Sequence, residues 1–214
     1  GSCPQERTVT RTWIGTDDCG NASSCVQVVT VVDSTVPVIT CPTDVTVNCE
    51  DDSSSAGTGS ASATDNCDTD VTVTESDNVA DGSCPQEKVI TRTWAATDDC
   101  GNSSDCDQVI TVVDDEAPVI TCPASVTVNC EDDSSSAGTA TASASDNCDN
   151  DVEVNMTEIM MGACPGTLVR TWVATDNCGN SNITIQVITY NKNCVNDPTT
   201  WKQRTEEWLN PLGP

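Results

Sequence analysis

The sequence has no histidine and no phenylalanine, and five Trp with one Tyr bring its aromatics to only 3% of the chain. Without histidine there is no Ser-His-Asp triad and no imidazole ligand for a metal. No Cys-x-x-Cys pair offers the usual zinc spacing either. Phosphate-binding glycine loops and nucleophile motifs are missing as well. Basic residues are scarce: 8 Lys and Arg face 34 Asp and Glu, for a net charge of −26. Such a field repels nucleic acid and anionic lipid, so neither is expected as a partner, and it draws divalent cations. No run of 18 apolar residues exists, so no membrane insertion is expected. No signal peptide opens the chain, so secretion implies a leader that was removed or lies outside this sequence.

Cysteine is abundant. Fifteen Cys in 214 residues point to an oxidising compartment, so the chain is expected to be secreted, extracellular or on a cell surface. With so few aromatics each core must be thin and mostly valine, and thin cores in small domains need covalent help.

The chain repeats itself. PVITCPTDVTVNCEDDSSSAGTGSASATDNC from Pro37 returns almost unchanged from Pro118, so that Cys41, Cys49 and Cys67 recur as Cys122, Cys130 and Cys148. The opening segment GSCPQERTVTRTWIGTDDCGNASSC returns from Gly82 and, three residues shorter, from Ala163. The expected organisation is a partial repeat over 1–36 (the second half of a unit), complete repeats over 37–117 and 118–191, and a tail over 192–214. Either the chain is a slice of a longer one, or another subunit donates the strands missing from 1–36.

Each repeat reads as β. Val45-Thr-Val47, Val71-Thr-Val73 and Thr91-Arg-Thr-Trp94 alternate in strand fashion, and Asp-Asn-Cys-Asp, Ala-Asp-Gly-Ser and Asp-Cys-Gly-Asn punctuate them as turns. The expected fold class is all-β: tandem immunoglobulin-like β-sandwich repeats stapled by disulfides, with a short C-terminal helical tail. Trp13, Trp94 and Trp172 are the expected core anchors. The Ser/Thr-rich stretches Asp52–Ser62 and Asp133–Ala144 read as a loop followed by a polar strand, or as carriers of O-linked sugar. In the tail, Asp197-Pro198 starts a helix that puts Trp201, Thr205, Trp208 and Leu209 on one face, docked on its own domain or on a neighbour.

Asp33 to Pro42, Ala63 to Cys67, Ala96 to Ser103 and Val109 to Asp114 together resemble the hyalin repeat family and its relatives in large bacterial surface proteins. The resemblance covers about 190 residues. It implies an immunoglobulin-like fold and a role in adhesion or extracellular matrix, and offers no catalytic residues to carry over. The chain departs from the commoner members in having six Cys per unit rather than about two.

In a sandwich of antiparallel neighbours, alternate strand ends meet at alternate poles. On that topology Cys49 pairs with Cys84, Cys41 with Cys106 and Cys67 with Cys100; in the next unit, Cys130 pairs with Cys164 and Cys148 with Cys178. Thr184 replaces the expected partner of Cys122, and Cys194 substitutes only if the tail folds back. The same topology gathers Asp33, Asp65, Asp68, Asp98 and Asp99 at one pole, and Asp114, Asp115, Glu116, Asp146, Asp149 and Asp176 at the next. Calcium bound there would stiffen the junctions between units; the competing reading is that these acids cap turns. Sequons stand at Asn21, Asn102, Asn155 and Asn182.

Carboxylates are numerous, but they recur at the same places in every repeat and single out no acid–base pair, so the chain is not expected to be an enzyme. The expected function is a rigid, calcium-stiffened segment of an extracellular fibre, with other copies as head-to-tail partners. An adhesin that binds glycan or protein through its loops is the second reading; the divergent stretch Glu153–Met161, with Met156, Met160 and Met161, reads as an interaction site or as a locally repacked core.

Overall fold

The computed structural model describes residues 3–129, 136–162 and 166–191. The chain divides into two compact units, Gly1–Asp114 and Asp115–Pro214. The first opens with an antiparallel ribbon of β1 (Arg7–Thr16) and β2 (Ala22–Val31), a two-stranded sheet of its own. A complete repeat follows: β3 (Val38–Thr40), β4 (Val45–Asn48), a one-turn helix α1 (Ser55–Thr58), β5 (Ser62–Thr64), β6 (Thr72–Asp81), β7 (Lys88–Thr97) and β8 (Ser103–Val113). One sheet has the order β4-β8-β7-β6; β4 runs parallel to β8, and the other pairs are antiparallel. β3 and β5 pair antiparallel, and β3 packs against β7 and β8. The parallel β4–β8 pair replaces the wholly antiparallel arrangement on which the disulfide expectations rested.

The alternation of β7 sends Ile90, Arg92, Trp94 and Ala96 inward, and that of β8 sends Gln108, Ile110 and Val112 inward. Ile90, Ile110 and Val112 form a small apolar cluster with Val45, Val47 and Cys49. Between this cluster and Trp94 the middle of the sandwich is polar. Arg92 Nε and Nη2 donate to the two carboxylate oxygens of Asp77 at 2.7 and 2.8 Å. Its Nη1 donates to Thr58 Oγ1 at 3.0 Å and its Nη2 also to the Ser53 carbonyl at 3.1 Å. Beside it, Gln108 Nε2 donates to the carbonyls of Thr43 and Thr58 at 3.0 and 2.9 Å.

These bonds explain the serine-rich stretch. It holds a helical turn, where the sequence suggested only a loop before a polar strand, because Arg92 and Gln108 need the Ser53 and Thr58 acceptors brought inward. Two glycines permit the turn. A Cβ on Gly57 would lie 2.1 Å from the Asp52 carbonyl oxygen, and Gly59 adopts φ of +94°.

The second unit repeats the design with β9 (Val119–Thr121), β10 (Val126–Val128), α2 (Ser136–Thr139), β11 (Ser143–Ser145), β12 (Glu153–Met161), β13 (Thr167–Thr175) and β14 (Ser181–Tyr190). Its sheets have the orders β10-β14-β13-β12 and β11-β9. Arg170 pairs with Glu158, at the place of Asp77, and donates to Thr139 Oγ1. Gln186 Nε2 donates to the carbonyls of Ala124 and Thr139. Trp94 and Trp172 are buried, while Trp13 is 60% exposed because its ribbon has no covering layer. The tail, with Cys194 and the expected helix, lies outside the described residues.

Each β-hairpin turn of this type is built on one aspartate. Asp98 Oδ1 accepts the backbone N–H groups of Cys100 and Asn102, and its Oδ2 accepts Asn102 Nδ2. Asp17 with Asn21 and Asp176 with Asn180 repeat the turn.

Cys41, just past β3, is bonded to Cys106 on β8. Closing a loop of this length restricts the unfolded chain by roughly 4 kcal/mol. Cys100 is bonded to Cys3, so the expected Cys67–Cys100 bridge does not form and Cys67 keeps a free thiol. The expectation confined each bridge to one repeat, whereas the segment before β1 reaches the β7–β8 turn. Cys49, Cys84, Cys148 and Cys178 are also disulfide-bonded. Cys122 is reduced. The expected Cys130–Cys164 bridge lies outside the described residues.

Two outcomes follow for stability. Arg92→Ala leaves Asp77 unpaired and should cost about 3 kcal/mol, the lower end for breaking a buried pair because Asp77 is partly exposed; Arg11→Ala, at the matching but exposed place in β1, should change stability by less than about 0.5 kcal/mol. Urea unfolding with disulfides intact measures both. The carboxyl of Asp77 is held below its ordinary value chiefly by Arg92, and that of Asp98, against the upward push of burial, by the amides of its turn. A depressed carboxylate stabilises fully above its unfolded value, about 4, and the contribution is lost as pH falls through the lower folded value. Stability should therefore decline below about pH 4, and less steeply in Asp98→Asn.

Candidate metal site at the acidic pole

In the first unit the linker carrying Asp33, the turn after β5 and the β7–β8 turn meet at one end of the complete repeat. The Asp99 amide donates to Asp68 Oδ2 at 2.8 Å, and Asn102 Nδ2 reaches the Asp33 carbonyl at 3.4 Å. The expected gathering of Asp33, Asp65, Asp68, Asp98 and Asp99 therefore exists, but the five acids do different work.

Asp68 and Asp98 have both carboxylate oxygens occupied by donors. Asp68 Oδ1 accepts the Asp70 amide and its Oδ2 the Asp99 amide; Asp98 builds its own turn. Asp99 contributes its amide and keeps its side chain exposed. For Asp68 and Asp98 turn capping accounts for the acid.

Asp33 and Asp65 differ. Asp33 Oδ1 accepts the Thr35 amide at 3.1 Å, and Asp65 Oδ1 accepts the amides of Cys67 and Asp68 at 2.8 and 3.1 Å. The second oxygen of each is buried and accepts no hydrogen bond. Asp33 is only 9% exposed as a whole. One side-chain oxygen from each, with Cys67 Sγ, lie within 4.8 Å of one another. Two oxyanions facing each other out of water lose hydration and repel, and a cation between them would relieve both costs.

Cys67 completes the cluster. Desolvation, and then the charges of Asp33 and Asp65, push its thiol above the ordinary value. The two carboxylate oxygens of the cluster are hard donors of the kind that calcium or magnesium takes.

In the second unit, Asp146 Oδ1 accepts the amides of Cys148 and Asp149. Asp149 takes the Asp151 and Asn177 amides and Asn177 Nδ2, and Asp176 holds its hairpin turn. Asp114 is buried, and Asp115 and Glu116 are exposed. Among the sequons, Asn102 is half-buried, with its amide shared between Asp98 and Asp33, an arrangement that an attached sugar would break. Asn21, Asn155 and Asn182 are exposed, with their amides on Asp17, Glu153 and the Pro118 carbonyl.

Reading from sequence missed the buried Arg92 and Arg170. The signal was there: Arg92 stands two residues before Trp94, in the same inward phase of the strand.

No curated protein matches this chain. Among solved structures it is similar to Drosophila N-cadherin EC1-4, at 14% identity and a TM-score of 0.36, covering 87% of this chain and 57% of that one. Protocadherin Gamma B2 extracellular cadherin domains 3-6 match at 16% identity and a TM-score of 0.34, covering 86% of this chain and 57% of that one. Protocadherin Gamma C5 EC1-3 matches at 10% and 0.32, covering 87% and 78%. Likenesses this distant leave the assignment to the family match. The model of the HYR-like domain with 4 cysteines fits residues 37–112 and again 118–190, over the two sets of strands β3–β8 and β9–β14. The chain therefore belongs to the HYR-like family of four-cysteine domains, present here as two tandem copies.

Proposed function

We propose that this chain is an extracellular structural protein, a rigid disulfide-rich run of repeats within a surface fibre in which copies join head to tail. The observation that carries the reading is covalent: a sandwich with a small apolar cluster is closed by Cys41–Cys106 and tied to the preceding partial repeat by Cys3–Cys100. Such bridges persist where the surroundings are oxidising, and they serve a module that must hold its shape outside the cell. Repeated acids used as turn caps, rather than as one distinguished pair, support a structural role over catalysis.

A divalent cation, calcium by the chemistry of the donors, is part of the same reading. Asp33 and Asp65 would each supply an unshared oxygen, with carbonyls and water completing the six to eight ligands that calcium takes. Bound there, the ion would fasten the linker to the first complete repeat. An adhesive role is the second reading. It is favoured by Met156, Ile159, Met160 and Met161, which are exposed along the edge strand β12.

Calcium titration of chelator-treated protein tests the cation. With a dissociation constant of about 10⁻⁴ to 10⁻³ M, as in extracellular modules, 10 mM calcium should add roughly 1.5–3 kcal/mol to stability. Asp33→Asn with Asp65→Asn should abolish that gain. An equal gain in the double variant, or none in the native protein, would reject the site.

A further inference from the structure

We propose that the β1–β2 ribbon is a docking surface for the first half of another repeat, a polypeptide segment with the chemistry of Pro37–Asp81. Two disulfides lock the segment, one to Cys25 and one to Cys67, and Cys19 stays reduced. The proposal rests on the head-to-tail reading and adds to it the partner's chemistry and its bonds.

The ribbon is a copy of β7–β8 without its cover. Trp13 lies opposite Cys25 as Trp94 lies opposite Cys106. In the complete repeat this face is covered by the β3–β6 half, and Trp94 is 4% exposed and Val112 4%; on the ribbon Trp13 is 60% exposed and Val31 37%. Arg11 and Gln27 stand at the places of Arg92 and Gln108, yet both are exposed.

Those side chains specify the occupant. Arg11 calls for an acid at the place of Asp77 and acceptors at those of Ser53 and Thr58. Gln27 calls for the carbonyls at the places of Thr43 and Thr58. The free edges call for a β4-like strand parallel to β2 and a β6-like strand antiparallel to β1. A first-half repeat supplies all of these.

The cysteines point to the same segment. Cys25 occupies the place of Cys106, which bonds Cys41, so the segment's thiol at the Cys41 place should bond Cys25. Cys67 is reduced, although Cys148 at its place in the next repeat is oxidised. Cys49 is itself oxidised, so it is not waiting for Cys67 within its own repeat. With the Cys41–Cys106 and Cys3–Cys100 types assigned, the remaining partner for Cys67 is a thiol at the Cys49 place of the docked segment. Cys19 stands at the place of Cys100, whose partner comes from the second half of a preceding repeat, and the segment contains no second half. Each bridge joins two Sγ atoms while their two hydrogens and two electrons reduce one molecule of oxidised glutathione to two thiols.

The test uses the whole chain and a synthetic peptide of residues 37–81 carrying Cys67→Ser, in a glutathione redox buffer. Mass spectrometry should find one peptide per chain, lighter by four hydrogens than the sum, with chain Cys25 on peptide Cys41 and chain Cys67 on peptide Cys49. Cys19 should remain open to alkylation. A peptide with Asp77→Lys should form at least tenfold less adduct. No adduct, an adduct through Cys19, equal yield with Asp77→Lys, or a chain–chain dimer through Cys25 would each overturn the proposal. The calcium response is read separately, so loss of the adduct with that response intact would refute the docking and leave the cation site standing.

Discussion

The guanidinium of Arg92 lies inside the sandwich with its side chain 3% exposed, at a position that an apolar residue would ordinarily fill. A charge removed from water in this way is tolerable only with a paired counter-charge and satisfied N–H groups, and here both conditions are met. The acid on β6, the turn of α1 and the small residues within that turn all follow from it. Substitution at the matching place in the second repeat supports this account. Asp77 becomes Glu158, so the carboxylate is retained, and the threonine at the end of the helical turn is again the third partner.

This polar centre leaves little room for hydrophobic stabilisation, and the remaining cluster around Ile110 is small. Disulfides therefore carry a share of the stability that an aromatic core would otherwise provide. Aspartates contribute in a different way, by holding tight turns that fix where the cysteines stand. Cys100 lies within the turn organised by Asp98, and Cys67 within the turn organised by Asp65. Turn capping thus accounts for many of the described aspartates, while Asp33, Asp65 and Asp146 each keep a buried oxygen without a hydrogen-bond partner.

Much of this was legible in the sequence. The tandem repeats followed from near-identical segments, and alternation at Thr91–Trp94 located part of the long strand Lys88–Thr97. Arg92 was harder to read, because alternation classes arginine with the outward positions, and only its phase relative to Trp94 places it inside. The one-turn helix was hidden because Ser-Ser-Ser-Ala-Gly-Thr has little helical preference of its own and is held by tertiary bonds to Arg92 and Gln108. The Cys67–Cys100 pairing failed for a related reason: strand ends within one repeat carry no information about a neighbouring segment such as the one that carries Cys3. At the acidic pole, sequence could not distinguish capped carboxylates such as Asp98 from those with an unshared oxygen such as Asp65.

The central claim is that the covering half-repeat, anchored on the buried arginine, is what stabilises each ribbon. Native-state hydrogen exchange on the whole chain tests it most directly. Amides of β7 and β8 should exchange only by global unfolding, while those of β1 and β2, in the same hydrogen-bonded register but without a cover, should exchange at least a hundredfold faster by local opening. Equal protection of the two ribbons would contradict the account.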